Sequence, residues 1–250
     1  MAITILAPAE RERLRKAGRA AAATLAYVGA RLAPGMTTAA IDRLVRAHTA
    51  AQGGRPSQLG YHGFPAAVCV SPNDVVCHGV PSEHVRLAEG DIVNVDVTTE
   101  LDGYHGDTSA TFVIGAAAPH ARALVELARG ARDAGVAAAE PGARLGDIGA
   151  AIVAHVGAAG RVVEAYGGHG IGRAMHLDPH VSHVGRAGAG HRLREGMAFT
   201  IEPMVNAGSA AVRTDADGWT VRTADGALSA QFEHTVLIGP HGPEITTVLG

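Results

Sequence analysis

The segment from Ile92 to Ile114 reads IVNVDVTTELDGYHGDTSATFVI, in which two apolar-alternating runs flank an Asp102-Gly103 pair. An Asp-Gly pair between alternating runs is a strong signal for a two-residue hairpin turn. We therefore predict a β-hairpin over these residues. Because successive side chains of a strand point to opposite faces, Asp96 should lie on the face opposite its neighbouring valines.

The second run of this hairpin carries another acid, Asp107. A turn at Asp102 sets a register in which Asp107 lies opposite or diagonal to Asp96, within reach across the strands. Two carboxylates so placed repel each other, and we expect a cation between them. A single aspartate in a strand is more often an edge or turn residue, so the pair needs further ligands to define a site.

The elements predicted before the hairpin recur after it. We predict helices over Ala9–Ala33 and Ala39–Ala51, and again over Pro119–Ala139 and Leu145–His155. Pro-Gly pairs at 34–35 and 141–142 follow the first helix of each pair, and the pentapeptides RLAEG (86–90) and RLREG (192–196) recur at nearly the same offset. Such a repeat indicates a duplicated unit. We predict an α+β fold in which residues 1–250 form a single domain. It would contain two α-α-β-β halves, about 9–114 and 119–238, with pseudo-two-fold symmetry and helices on one side of a curved antiparallel sheet.

The repeat also predicts two more acids in the site. Glu202 aligns with Asp96, and Glu233 would lie in a second acidic hairpin made of residues 220–222 and 228–238 with a turn at Asp225-Gly226. Four carboxylates converging between the halves can balance two divalent cations. Oxygen ligands in this number favour Mn, Fe(II) or Co over a structural zinc ion.

Few of the fourteen histidines have a context that favours a role. His169 and His176 lie in the glycine-rich segment GGHGIGRAMH (167–176), where small neighbours leave an imidazole accessible. A phosphate-binding loop fits this segment less well, because the fingerprint needs a third spaced glycine and a later acid. His78 precedes a Gly-Val-Pro turn, and a turn histidine bonded to backbone is the alternative there. We predict that six others are solvated: His48, His84, His120, His155, His191 and His241.

Composition excludes several classes of protein. A net charge of -3 provides no basic field for nucleic acid. The chain has no apolar run near the roughly 20 residues that span a bilayer, and no cationic segment before its first short apolar run. Its two cysteines, Cys69 and Cys77, form no CxxC motif, which indicates a reducing compartment. We expect a soluble cytoplasmic monomer without nucleic-acid or membrane partners.

Four motifs together resemble the type I methionine aminopeptidases, metallohydrolases of the pita-bread fold: NVDVTTELDGYHGDTSATF (94–112), GGHGIGRAMH (167–176), TIEP (200–203) and QFEHT (231–235). The resemblance implies co-translational removal of the initiator methionine from nascent chains with a small second residue, with the ribosome as a candidate partner. It implies two divalent ions (Co, Mn, Fe(II) or Zn), with Asp107 and Glu233 shared between them. The implied metal ligands are Asp96, Asp107, His169, Glu202 and Glu233.

The same resemblance implies roles for other residues. Glu202 would carry a proton from the attacking water to the leaving amine, His176 would stabilise the oxyanion, and His78 would hold the leaving side of the substrate. The methionine pocket would be formed by Tyr61, Phe64, Cys69 and Trp219. Sulfur-aromatic contacts suit a thioether, although each pocket residue could equally be ordinary core or rim.

Two departures from the family pattern lead to predictions about catalytic efficiency and about the pocket entrance. The chain reads Met175-His176-Leu177 where relatives generally read Phe-His-Glu, and loss of that acid implies lower efficiency. Gln58 occupies a position where several relatives have a small residue or cysteine, and its longer side chain implies a narrower pocket entrance. Two alternatives stay open: an Xaa-Pro-type aminopeptidase of the same fold, which the pocket residues disfavour, and a catalytically weak binding protein, which Leu177 keeps open.

Overall fold

The computed structural model of the chain describes residues 3–249. Its helices are α1 (Pro8–Gly29), α2 (Thr38–Ala51), α3 (Pro119–Ala137) and α4 (Leu145–Val156), and a 3₁₀ turn covers Tyr61–Gly63. The strands of the first half are β1 (Arg55–Pro56), β2 (Cys69–Pro72), β3 (Val75–Cys77), β4 (Ile92–Leu101) and β5 (Tyr104–Val113). Those of the second half are β6 (Arg161–Val162), β7 (Gly167–Gly170), β8 (Leu177–Ser182), β9 (Ala198–Ile201), β10 (Met204–Asn206), β11 (Val212–Thr214), β12 (Val221–Thr223), β13 (Ser229–Gln231), β14 (Glu233–Ile238) and β15 (Pro243–Ile245).

The predicted hairpin is present as β4 and β5. Its turn residues Asp102 and Gly103 both have positive φ, 52° and 77°, as a two-residue turn matched to strand twist requires. Asp96 pairs with Ser109, which lies two residues from Asp107 on the same face of β5. Asp107 is therefore diagonal to Asp96, as the sequence predicted.

The apolar face of β4 fixes the orientation of its acid. Val93, Val95 and Val97 are fully buried, in one core cluster with residues of α1 and α2 such as Val28 and Ile41. A shift of one residue would expose these valines, so the register is strongly determined. Asp96 lies on the other face, away from the helices.

The main sheet has the strand order β1-β4-β5-β14-β9-β7-β8, with β2 also on β4 and β15 also on β14. Every strand pairing within residues 3–249 is antiparallel. The α+β class with an antiparallel sheet is thus confirmed. Two three-stranded sheets, β13-β10-β6 and β11-β12-β3, flank it.

The prediction of a second acidic hairpin, made of residues 220–222 and 228–238, is wrong. Strand β12 pairs with β11 and β3, whereas β14, which carries Glu233, pairs with β5 and β9. Strand β14 is central, because β5 of the first half occupies one of its edges and β9 of the second half occupies the other. No edge of β14 is therefore left for β12. At the Asp225-Gly226 turn, Asp225 Oδ1 accepts the Ala227 N–H at 3.1 Å and Asp225 Oδ2 accepts the Ser209 N–H at 2.7 Å.

Matching backbone contacts occur at equivalent positions of the two halves. An isolated bridge joins Thr37 to Arg86 in the first half, and another joins Arg144 to Arg192 in the second. We infer from these contacts that the segments at about 9–114 and 119–238 are structural repeats within one domain. Among the helices within residues 3–249, none combines the length and apolarity that crossing a bilayer requires.

Candidate metal centre and active site

Three adjacent strands bring three of the predicted acids together. Ser109 on β5 pairs with Asp96 on β4 and also with Glu233 on β14, so these residues form a row across the sheet. Asp107 shares the face of Ser109 one pleat further along β5. The row explains why acids far apart in the sequence form one cluster.

The other two predicted ligands approach from the second half. Glu202 directly follows β9, and His169 lies on β7 beside that strand. His169 Nε2 is 3.6 Å from Glu202 Oε1 and 3.7 Å from Asp107 Oδ2. Ligand atoms of Asp107, His169 and Glu233 all lie within 4.8 Å of one another.

Burial and mutual repulsion make this cluster an unfavourable place for negative charge. Burial raises the pKa of Asp107 to about 7, and burial together with the charge of Asp107 raises the pKa of Glu202 to about 8. The same two causes raise the pKa values of Asp96 and Glu233. Within residues 3–249, no arginine or lysine forms an ion pair with any of these four carboxylates. Their charge is therefore without a compensating protein cation.

The imidazole of His169 has a free electron pair on the side of the carboxylates. Burial and the neighbouring His176 lower the pKa of His169 to about 3, so the ring is neutral at physiological pH. Its Nδ1 lies 3.1 Å from the Gly170 carbonyl oxygen. That contact favours the tautomer in which Nδ1–H donates to the carbonyl and Nε2 is the free ligand atom.

Four carboxylates and one neutral imidazole form a donor set that fits divalent ions of the Mn, Fe(II) or Co type. A bound cation would also remove the repulsion that raises the pKa values of the carboxylates. The chemistry of the residues present therefore fits a divalent metal site.

The ligand side chains are held by partners that the sequence analysis did not single out. Thr98 donates its hydroxyl hydrogen to Asp107 Oδ1 at 2.7 Å, and Thr200 donates to Glu202 Oε1 at 2.7 Å. The Thr200 hydroxyl oxygen also accepts the His169 N–H at 2.9 Å, which links two ligands. Both threonines could have been found from the sequence, because each lies two residues from a predicted ligand acid in an extended segment, where such side chains share a face.

His183 was also missed, and it has no local signal in the sequence. It is almost fully buried, and its Nε2 accepts the backbone N–H of Glu202 at 3.1 Å. Burial lowers the pKa of His183 to about 3 and keeps the acceptor electron pair free. Gln231 gives further support, with Nε2 3.3 Å from Glu202 Oε2.

The acid cluster opens into a cavity of ≈ 140 Å³. This volume is well below that of pockets for drug-sized ligands, roughly 300–1,000 Å³, and suits one side chain. Met175, Thr98 and Gln58 contribute to its walls. The structure brings all the sequence-predicted site residues to this cavity: Tyr61, Phe64, Cys69, His78, Asp96, Asp107, His169, His176, Glu202, Trp219 and Glu233.

Aromatic rings also line the cavity. Phe64 and Trp219 meet edge to face with ring centroids 5.2 Å apart. The His176 ring lies between that of Tyr61, at 5.0 Å, and that of His169, at 4.0 Å. The cavity lining thus combines apolar and aromatic side chains with the acidic cluster.

The glycine-rich segment forms strand β7, paired with β8 and β9, and does not open a helix as a phosphate loop would. Five of the six histidines predicted to be bystanders are exposed: His84, His120, His155, His191 and His241. His48 is an exception, because it is half-buried between α1 and α2. Its Nδ1 lies 3.0 Å from Thr24 Oγ1, and its ring stacks on Tyr27 at 4.2 Å.

Comparison with known proteins identifies the family. The model of metallopeptidase family M24 matches residues 12–240. The chain belongs to metallopeptidase family M24. Members of this family are metal-dependent hydrolases, so a divalent-metal site is part of the enzyme.

Individual M24 relatives match over nearly the whole chain. Methionine aminopeptidase A of Synechocystis sp. is 48% identical over 98% of this chain and 98% of its own length. Methionine aminopeptidase of Escherichia coli K12 is 44% identical over 99% of this chain and 95% of its own length. The crystal structure of methionine aminopeptidase from Rickettsia prowazekii superposes with a TM-score of 0.97 at 42% identity, covering 99% of this chain and 100% of that one. The pita-bread fold expected from the sequence motifs is confirmed by this superposition.

Proposed function

We propose that this M24 enzyme removes the N-terminal methionine from polypeptides whose second residue is small. The observation that carries the proposal is the cavity of ≈ 140 Å³ in which an acid-histidine cluster adjoins aromatic side chains and Cys69. Sulfur-aromatic contacts stabilise a thioether side chain. The full-length similarity to three methionine aminopeptidases supports the same substrate.

We propose that two divalent cations bind in the cluster. Asp96, Asp107, His169, Glu202 and Glu233 would hold them, because their side chains meet at the acid cluster. Cations of this type act as Lewis acids when bound and lower the pKa of the water that they bind to about 7.

The protein side chains then perform the proton transfers. Glu202 accepts a proton from the attacking water and delivers it to the nitrogen of the leaving amine, as the C–N bond breaks and a C–O bond forms. Desolvation and the neighbouring His78 lower the pKa of His176 to about 4. His176 is therefore a neutral N–H donor to the oxyanion. His78, held with a positive φ of 55° beside Tyr166, binds the leaving side of the substrate.

Purified protein with Mn(II), Co(II) or anaerobic Fe(II) tests the proposal on the peptides Met-Ala-Ser and Ala-Pro-Ala. We expect free methionine from the first peptide and no product from the second. Cleavage of Ala-Pro-Ala instead would identify an Xaa-Pro aminopeptidase. Absence of cleavage with every metal would identify a binding protein. Anaerobic titration with each metal then ranks their affinities and counts the bound ions.

The cellular setting belongs to the same proposal. An enzyme that acts on nascent N-termini works in the cytoplasm as translation proceeds, and the ribosome is its expected partner. Sedimentation of the protein with translating ribosomes tests this point, and sedimentation equilibrium of the protein alone tests whether it is a monomer.

A further inference from the structure

The edge of β4 that faces away from β5 is shared by two short strands. β1 pairs with Thr99 and Glu100, and β2 pairs with residues 93–96. A gap in the strand pairing remains between them at Val97 and Thr98, and within it the Thr98 carbonyl oxygen accepts the N–H of Ser57, which follows β1, at 2.9 Å. Backbone groups on this buried edge need hydrogen-bond partners, because an unpaired buried N–H or C=O is costly.

The side chain of Gln58 fills this gap. Its Nε2 donates to the Asp96 carbonyl oxygen at 2.9 Å, and its Oε1 accepts the Thr98 N–H at 3.3 Å. The carboxamide thus takes the place that a peptide group of a third strand would occupy. The Thr98 N–H requires an acceptor, so the network also fixes which end of the amide is oxygen.

The second N–H of the same amide reaches the acid cluster. Gln58 Nε2 lies 3.3 Å from Asp96 Oδ1, so one group contacts both the backbone and the carboxylate of Asp96. Thr98, held by the other end of the amide, donates to Asp107 Oδ1. Gln58 is therefore connected to two acids of the cluster, and it is only 6% exposed.

We propose that Gln58 is a positioning residue for the metal centre, acting as a side-chain substitute for the missing strand segment and orienting Asp96 directly and Asp107 through Thr98. The proposal rests on the proposed role of Asp96 and Asp107 as metal ligands. Gln58 also lines the cavity, so it bounds the substrate pocket while it holds the ligands.

Few other side chains can take this role. Methionine has a similar length but lacks the carboxamide, so it would leave the Thr98 N–H without its acceptor and Asp96 without its contacts to Gln58. Asparagine keeps the carboxamide but is one methylene shorter and cannot span from Asp96 to Thr98. The methionine variant therefore lacks the hydrogen-bonding amide, whereas the asparagine variant keeps the amide but lacks the length.

The test compares Gln58→Met and Gln58→Asn with the wild-type protein and with Gln52→Met. Gln52 is a matched control, because its Nε2 donates to Ala20 O at 3.2 Å and Thr24 Oγ1 at 2.8 Å, away from the cavity. Three quantities are measured: Mn(II) affinity of metal-stripped protein by calorimetry, hydrogen exchange of the Thr98 amide, and kcat and KM on Met-Ala-Ser.

We expect Gln58→Met to weaken Mn(II) binding by about 10–100-fold, the usual effect of removing a partner that orients a ligand. The Thr98 amide should exchange faster, and kcat should fall more than KM rises. Gln58→Asn should show the same changes, and it keeps the test available if the methionine variant does not fold. Gln52→Met should bind Mn(II) as the wild type does.

Wild-type Mn(II) affinity and unchanged Thr98 exchange in both Gln58 variants would overturn the inference. Failure of the proposed function gives a different result. In that case the wild-type protein releases no methionine, while the Gln58 variants still lose Mn(II) affinity relative to Gln52→Met.

Discussion

Thr98 on β4 and Asp107 on β5 face each other across the hairpin, and the Thr98 hydroxyl donates a 2.7 Å hydrogen bond to Asp107 Oδ1. This bond stabilises the ionised carboxylate and lowers the pKa of Asp107 against the larger effect of burial. The hydroxyl thereby keeps Asp107 available to a cation at neutral pH.

Replacement of this donor should weaken the metal site. We expect Thr98→Val to raise the pKa of Asp107 above its value of about 7 and to weaken Mn(II) binding at pH 7 by about 10-fold or more. The matched control is Thr99→Val, because the Thr99 hydroxyl is buried without a hydrogen-bond partner. Calorimetry at pH 7 measures both variants. Equal Mn(II) affinity of Thr98→Val and Thr99→Val would contradict this role of Thr98.

The proposed proton carrier can be tested by a neutral isostere. Glu202→Gln should lower kcat on Met-Ala-Ser by about 10²–10⁴-fold, the range for loss of a general acid-base group. Because the change removes one of four mutually repelling carboxylates, the metal-free variant should melt at or above the wild-type Tm at pH 8. Steady-state kinetics and calorimetric scans give both quantities. Substantial retained kcat with full metal loading would remove Glu202 from the mechanism.

Stability of the metal-free protein should fall as pH rises above about 6.5. Asp107 and Glu202 have folded pKa values of about 7 and about 8, above those of the unfolded chain, so the folded state binds more protons between about pH 4 and pH 8. The contribution of these two acids to stability therefore decreases as the pH rises across that interval. Histidines with lowered pKa, such as His169 and His183, have the opposite effect, but only below about pH 6.5.

The measurement is Tm against pH, with and without Mn(II). We expect the metal-free Tm to fall from pH 6.5 to pH 8.5 and the increase in Tm on adding Mn(II) to grow over the same range, because the cation competes with protons for the carboxylates. A metal-free Tm that rises through this interval would show that the acid cluster does not control the pH dependence.

The buried His183 provides a prediction about stability. Its Nε2 is the acceptor for the Glu202 backbone N–H. His183→Leu should therefore lower the free energy of unfolding by about 1–3 kcal/mol, the cost of leaving a buried donor unpaired. Urea unfolding measures this change, with the exposed His241→Leu as control. If both variants unfold alike, the His183 contact has no measurable effect on stability.

Much of the hairpin and the helices could be predicted from local sequence. The Asp102-Gly103 turn and the alternation of Val93, Val95 and Val97 with Asp96 are short-range patterns, and they determine both the hairpin and the face that carries the acids. The helix bounds differ modestly. The first helix, for example, ends at Gly29 instead of residue 33.

The position of β14 could not be predicted in this way. The turn at residues 225–226 suggested a local hairpin, whereas β14 lies in the centre of the sheet between β5 and β9. A central strand pairs with strands from distant parts of the chain whose backbone N–H and C=O groups still lack partners. Its position also depends on the burial of both its faces. Neither quantity is visible in a local window of sequence.

The sequence by itself determined the identity and order of the acids and histidines, the faces they share on the first hairpin, and the family resemblance. Only the tertiary structure decided that Ser109 pairs with both Asp96 and Glu233, that His183 supports Glu202, and that the Gln58 amide completes the edge of β4. The physical reason is one of range. Turn chemistry and alternation act over a few residues, whereas satisfaction of buried polar groups depends on atoms that meet only when the two halves close into one sheet.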